Sequence, residues 1–473
     1  MQTPQSLSAI QQALSAGTLS CTDLVEHYLD RIETTRHLNI YIEVFAEEAR
    51  RKARELDQKR QAGESTGRLA GMVLSIKDVI CYKDHLVTAG SHILSGYRSL
   101  FSSTAVERIL AEDAIIIGRV NCDEFAMGST TETSCYGPTR NAADPDYIPG
   151  GSSGGSAVAV QAETCLASLG SDTGGSVRQP AAFCGVIGLK PTYGRISRHG
   201  LLAYGSSFDQ IGILSHNTHD AALLLEIMAG PDDYDGTASR KPVPAYSEQL
   251  SFGRPARLAY FREAMEHPGL DPGIKAACEA WIEQARAQGH TVEPVEFPLL
   301  EYIIPTYYVL TTAEASSNLS RYDGIRYGYR SPNARNLLET YTRSRTEGFG
   351  AEVKRRIMLG AFVLSAGYYD AYYGKAQQAR RLIRDATMKI LDHYDFIFLP
   401  AAPGTAWRLN ETVDDPLAMY LADIFTVQAN LAGIPAIALP AGVHENGLPI
   451  GIQLMGKPFA EGELLGFAEE LRS

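Results

Sequence analysis

The chain lacks the marks of several protein classes. No apolar run reaches the ~18 residues a membrane-crossing helix needs, so no transmembrane segment is expected. Its seven cysteines, Cys21, Cys81, Cys122, Cys135, Cys165, Cys184 and Cys278, are odd in number and form no C-x-x-C pair. A disulfide framework would want even pairs in a short secreted chain, so reduced, mostly buried thiols in a cytoplasmic protein are expected instead. There is no H-E-x-x-H, and His216-Asn217-Thr218-His219 has no acidic partner, so no metal site is expected. The opening Met1-Gln2-Thr3-Pro4-Gln5 has neither the basic nor the apolar region of a secretory leader. Positive charge is in deficit: 43 Lys+Arg stand against 55 Asp+Glu, a net charge of −12. An acidic surface repels phosphate backbones and argues against a stand-alone nucleic-acid binder.

What is present is an ordinary globular mix, 45% hydrophobic and 21% charged over 473 residues, large enough for a core without staples. Leu7, Ile10 and Leu14, then Leu24, Tyr28 and Ile32, recur at helical spacing, and Thr22 stands where the second helix would be capped. The first 60 residues read as helix, ending in a charged helix over 46–61 with Gly63 beyond it. Met72-Val73-Leu74-Ser75-Ile76 and Ala114-Ile115-Ile116-Ile117 read as buried strands. Residues 128–210 are rich in Gly and Ser, but Ala157-Val158-Ala159-Val160 and Val186-Ile187-Gly188-Leu189 interrupt them, which a linker would lack. Residues 229–256 look like a surface excursion. Strands at both ends with helices between predict one α/β domain over 1–473. Its parts are N-terminal helices about 5–62, a Gly/Ser-rich core about 65–230, a mainly helical part about 258–395, and C-terminal strands about 396–470 that return to the sheet.

Three features carry chemistry. Lys77 closes an apolar strand; if it is buried its charged form is disfavoured, and a neutral lysine is a usable general base. The ordinary alternative is a strand-end lysine reaching back to water. Gly150-Gly151-Ser152-Ser153-Gly154-Gly155-Ser156 lets backbone approach a ligand closely. It is not a phosphate-cradling loop, because Ala157 and Val158 stand where Lys and Ser/Thr are required. The G-x-S-x-G within it needs a preceding strand, and residues 141–149 read as a turn instead. Gly170-Ser171-Asp172-Thr173-Gly174-Gly175-Ser176 could set a serine before a row of free backbone N–H groups, a nest for an oxyanion, or be a plain strand-to-helix turn. None of the 11 histidines has a catalytic setting.

Taken together, Lys77, the Gly/Ser run and the second Gly-Gly-Ser resemble the amidase signature family in order and spacing: Lys77 to Ser152 is 75 residues and Ser152 to Ser176 is 24. The block 149–191, including Gln179-Pro180-Ala181-Ala182-Phe183-Cys184-Gly185, resembles that family's signature throughout. Three further segments resemble the family's glutaminase members, which serve tRNA-dependent amidotransferases. They are Asn121-Cys122-Asp123-Glu124-Phe125-Ala126-Met127-Gly128-Ser129; Glu352-Val353-Lys354-Arg355-Arg356-Ile357 on to Tyr368-Tyr369-Asp370-Ala371-Tyr372-Tyr373; and Asp415-Pro416-Leu417 through Asp423-Ile424 to Asn430-Leu431-Ala432-Gly433-Ile434-Pro435. The resemblance spans roughly residues 5–470.

The resemblance implies a central mixed β-sheet covered by helices. It also implies roles. Ser176 would be the nucleophile; Ser152, after a cis Gly151–Ser152 bond, would relay its proton; Lys77 would be the base. Backbone N–H groups of Thr173, Gly174, Gly175 and Ser176 would form the oxyanion hole. Arg356 would hold the glutamine carboxylate, with its neighbour Arg355 an open alternative, and Asp423 the ammonium, with Tyr307, Gly128 and Ser129 nearby. The chain would need no cofactor. Two other subunits would complete a heterotrimeric complex: one binding Glu-tRNA(Gln) and using ATP and Mg²⁺, one a small brace. The alternatives are a free-standing amidase acting on another small amide, and a scaffold that has lost its chemistry. Without a membrane anchor the chain is unlike the membrane-bound fatty acid amide hydrolases of the same family. The tyrosines at 368–373 would be partner surface or ordinary core.

Overall fold

The computed structural model describes residues 4–411 and 422–472. Met1, Gln2 and Thr3 of the leader reading, and Asp415, Pro416 and Leu417 of the family segment, lie outside the described residues.

Among the described residues eleven strands form one mixed sheet: β1 (Tyr41–Val44), β2 (Val73–Lys77), β3 (Ile115–Val120), β4 (Ala167–Asp172), β5 (Ile187–Lys190), β6 (Gln210–Ser215), β7 (Arg257–Phe261), β8 (Thr291–Val295), β9 (Phe396–Pro400), β10 (Ala436–Val443) and β11 (Pro449–Met455). Their order is β1-β3-β2-β4-β6-β5-β10-β11-β9-β7-β8. The expected mixed sheet covered by helices is present. β2, β3 and β4 are buried along their whole length, which is why the segments of β2 and β3 read as apolar runs.

One feature of the topology positions the site. β2 runs parallel to both β3 and β4. The carboxyl ends of all three therefore face one edge of the sheet, where open α/β sheets gather ligands. Lys77 ends β2, Asn121 follows β3, and Asp172 ends β4. The antiparallel neighbour β6 begins at the same edge, with Gln210 opposite Asp172.

The N-terminal segment differs from its helical reading. Between the helices Cys21–Thr34 and Ala46–Gln61 it contributes β1, which pairs antiparallel with β3 and shields that side of the sheet. The helix Cys21–Thr34 is capped by Ser20 rather than Thr22. The Ser20 hydroxyl accepts from Asp23 N–H while the Asp23 carboxylate accepts from Ser20 N–H, a reciprocal capping box that the local spelling Ser20-x-x-Asp23 permits. The helix Ala46–Gln61 matches its expected bounds.

A helical layer, Leu300–Asn318, Ala351–Val363 and Lys375–Leu391, covers the site edge. Two of these helices approach unusually closely: a Cβ on Gly360 would stand 1.9 Å from the carbonyl oxygen of Thr312, so only glycine fits there. On the same helix as Gly360, Arg356 lies over the ring of Tyr308. Of the tyrosines at 368–373, Tyr368, Tyr369 and Tyr372 are 43–47% exposed, whereas Tyr373 is half-buried against the core.

Candidate active site

Lys77 is fully buried, not snorkelling. It sits at the end of β2, and its Nζ is caged by three hydroxyls: Ser152 Oγ at 2.7 Å, Ser153 Oγ at 2.8 Å and Ser171 Oγ at 2.9 Å. Ser153 in turn donates to the Ser171 carbonyl and accepts from Ser171 N–H, locking two walls of the cage together. Burial pushes the lysine down to about 8, against the opposing pull of Cys122, Asp123, Asp172 and Asp209. The lysine is thereby poised to change protonation near neutral pH.

The Gly/Ser run is a tight loop leading into the helix Gly154–Gln161. The peptide bond Gly151–Ser152 is cis. No strand precedes the loop, in keeping with the turn reading of 141–149. Gln179 clamps it: its Oε1 accepts from Gly151 N–H at 2.9 Å and its Nε2 donates to the Ser129 carbonyl at 3.0 Å. A Cβ on Gly151 would stand 2.2 Å from an Asp123 carboxylate oxygen, so a side chain there has no space.

Ser176 stands at the start of the next turn, 9% exposed, and its carbonyl accepts from Ser153 N–H at 3.1 Å. Among the described residues its hydroxyl makes no hydrogen bond, so the chain of contacts runs from Lys77 to Ser152 and stops there. Of the expected oxyanion donors, Gly175 N–H is already engaged by Asp172 Oδ1 at 2.9 Å. Among the described residues none accepts from the N–H groups of Thr173, Gly174 or Ser176. Gly175 has φ +133°, and its missing Cβ would collide with Thr426 Oγ1, which donates to the Gly174 carbonyl at 2.8 Å.

Asp172 and Arg178 hold this turn from beneath. Arg178 is fully buried and donates to both oxygens of Asp172, to the Thr426 carbonyl, to Gln453 and to Asn430. Burial raises the Asp172 carboxyl, but the Arg178 guanidinium more than offsets this and leaves it at about 2. Sequence reasoning gives Asp172 no part in the chemistry and passes over Arg178. It also misses Ser153 and Ser171, although both lie inside the quoted motifs.

The residues expected to hold substrate converge above this turn. The ring of Tyr307 lies on Gly174, where a Cβ would come within 2.6 Å of it. Asp423 accepts from Ser129 Oγ at 2.5 Å through Oδ2, while its other oxygen is buried without a partner among the described residues. Burial pushes its carboxyl up to about 7, opposed by Ser129 and by Arg356. Arg356 is 3% exposed; it donates to Glu352 Oε1 and to Tyr204 Oη, both at 2.8 Å, and lies over the rings of Tyr204 and Tyr308. Arg355 points away, 51% exposed and paired to Glu352, so the geometry separates the two arginines. Gly128 lies against the Asp123 carboxylate, which a Cβ there would overlap; Asp123 accepts from the N–H groups of Thr130, Thr131 and Thr133 and so shapes the Ser129 turn. Among the described residues no group of three or more His, Cys, Asp or Glu side chains could hold a metal ion, and no helix is long and apolar enough to cross a membrane.

The chain matches known proteins over nearly its whole length. The Amidase family model covers residues 23–465. The A-type subunit of the glutamyl-tRNA(Gln) amidotransferase from Chlorobium phaeobacteroides (strain BS1) is 50% identical over 98% of this chain and 97% of its own. The crystal structure of the corresponding glutamyl-tRNA(Gln) amidotransferase subunit from Thermotoga maritima aligns with TM-score 0.77 at 40% identity, covering 95% of this chain and 93% of its own. A peptide amidase from Stenotrophomonas maltophilia aligns with TM-score 0.82 at 29% identity, covering 98% and 95%. The lysine–serine cage, the signature block around it and these matches have one consequence: the chain belongs to the amidase family.

Proposed function

We propose that this chain is the glutaminase subunit of a tRNA-dependent amidotransferase, releasing the ammonia that converts Glu-tRNA(Gln) to Gln-tRNA(Gln). The observation that carries the reading is the buried pair above the nucleophile turn. Arg356 supplies a guanidinium fork for an α-carboxylate, and the unpartnered oxygen of Asp423 awaits an ammonium. A simple amide needs neither.

The reaction follows from the cage. Neutral Lys77 draws a proton from Ser152, and Ser152 draws one from Ser176 as its Oγ attacks the side-chain carbonyl carbon of glutamine. The link between the two serines closes when substrate orders the Ser176 hydroxyl, since catalytic hydrogen bonds often tighten only in the complex. The carbonyl oxygen becomes an oxyanion facing the N–H groups of Thr173, Gly174 and Ser176; Gly175, held by Asp172, shapes the turn rather than donating. Collapse breaks the C–N bond, and the proton on Lys77 returns through Ser152 to the departing nitrogen, which leaves as ammonia. Water then attacks the γ-glutamyl ester with Lys77 and Ser152 again taking its proton, giving glutamate and free Ser176. No cofactor enters these steps. In this reading ATP and Mg²⁺ act in a cytoplasmic partner subunit that holds the tRNA, and a small third subunit braces the two. The net charge of −12 supports leaving the tRNA elsewhere.

The test is ammonia release from glutamine by the chain alone, then with partner subunits, Glu-tRNA(Gln) and ATP. Release stimulated by the full mixture, with Gln-tRNA(Gln) formed, is the expected outcome. Fast release by the chain alone, unchanged by partners and extending to other amides, would establish a free-standing amidase instead.

A further inference from the structure

One buried carboxylate beside the site has no task in the reaction. Asp209 is 3% exposed and belongs to no motif. It lies where β6 begins, and the antiparallel register that sets Gln210 opposite Asp172 brings it beside Thr173, the first residue of the oxyanion turn. Its Oδ1 accepts from Thr173 Oγ1 at 2.7 Å and from Gly205 N–H at 3.1 Å; its Oδ2 accepts from Tyr204 N–H at 2.9 Å. The carboxylate therefore closes the turn 204–209 on itself and ties it to Thr173.

The other end of that turn reaches the substrate-binding arginine. Tyr204 is 1% exposed; its hydroxyl accepts from Arg356 at 2.8 Å and donates to Thr311 Oγ1 at 2.9 Å. Thr311 donates on to the Tyr307 carbonyl, and Asn318 donates to the Tyr204 carbonyl. The ring of Phe208 meets Tyr307 edge-on, with centroids 5.8 Å apart. One short turn thus touches both halves of the site, through contacts that lie in the interior, where hydrogen bonds are stiff and expensive to leave unmade.

We propose that the turn 204–209 is a positioning element in which Tyr204 sets the Arg356 guanidinium for the α-carboxylate while Asp209, through Thr173, sets the oxyanion turn, so that one rigid loop fixes the distance between substrate recognition and chemistry. Neither residue touches the reacting atoms. The inference rests on glutamine being the substrate.

The experiment compares glutamine with butyramide, which lacks both the carboxylate and the ammonium, using the full chain assembled with its partner subunits. Tyr204→Phe keeps the ring under Arg356 and removes only the hydroxyl. KM for glutamine rises about tenfold with little change in kcat, while kcat/KM for butyramide falls less than about twofold. Thr173→Val lowers kcat about tenfold on both substrates, and Thr173→Ser, which keeps the hydroxyl, restores most of it. Equal loss on both substrates for Tyr204→Phe, no loss at all, or Thr173→Ser as impaired as Thr173→Val would overturn the proposal. Glutamine turnover surviving Ser176→Ala would overturn the underlying reading instead, which tells the two failures apart.

Discussion

The edge of the sheet and the helical layer above it solve different problems with different materials. At the sheet edge Lys77, Ser152, Ser153 and Ser171 are each at most 3% exposed; Lys77 and Ser171 stand on strands, and Ser152 and Ser153 on the tight loop that leads into the helix Gly154–Gln161. In the layer above, the helix Ala351–Val363 turns one face inward, with Glu352, Val353, Arg356 and Gly360 buried, and leaves Met358, Leu359 and Phe362 exposed on the other. Proton transfer demands groups held to fractions of an ångström, which two strands and a loop clamped by Gln179 supply. Recognition of a small charged ligand tolerates a group hung on a helix face, provided its neighbours brace it.

That contrast can be broken most severely at the sheet edge. Ser176→Ala should lower glutamine and butyramide turnover by more than about 10⁴-fold, and Lys77→Ala by several orders of magnitude without unfolding, because such groups act as one unit. Steady-state rates with circular dichroism check both. The neutral form of Lys77 grows as pH rises through about 8, so kcat/KM of the intact protein should climb over that range and level off above it. Lys77→Arg, charged at every accessible pH, should show neither the activity nor the climb.

Next in size is a change beneath the turn. Asp172→Ala strands the fully buried Arg178 without its carboxylate and should cost about 3–5 kcal/mol of stability in denaturant titration. Arg356→Ala follows: KM for glutamine should rise about 100-fold while butyramide is little affected, which initial-rate measurements on both substrates would reveal. Equal losses would make the arginine part of the sheet-edge machinery and erase the distinction between the regions. Smallest is the outer face. Phe362→Ser should move stability by no more than about 0.5 kcal/mol and leave glutamine hydrolysis by this chain intact. A large loss there would show that the exposed face supports the inner one.

Lys77, Ser152 and Ser176 are legible in the sequence as candidates because their motifs are continuous: a lysine closing an apolar run, and serines inside Gly-rich stretches at a spacing that resembles the family's. The helix over 46–61 is legible from its charge and its terminating glycine. β1 is not, since four edge residues, three of them half-buried, carry too little pattern to stand apart from the helices on either side. The Arg355-Arg356 pair cannot be separated by spelling; the near-contact at Gly360 decides which side chain is enclosed. The family resemblance implies Gly175 as an oxyanion donor, and only the fold reveals that the Asp172 carboxylate takes its N–H.

The sequence by itself determined the strand that places Lys77 in the core, the glycines that let two serine loops bend tightly, and the residue types of the chemistry. These are local properties, written in periodicity and steric freedom. Tertiary structure alone decided that three parallel strands end at one edge, that Asp209 meets Thr173 across an antiparallel register, and that Tyr204 reaches Arg356 from 152 residues away. Such contacts join segments with no shared pattern. Their partners are fixed by strand order and by how closely two helices can approach, and neither is encoded in any one stretch of chain.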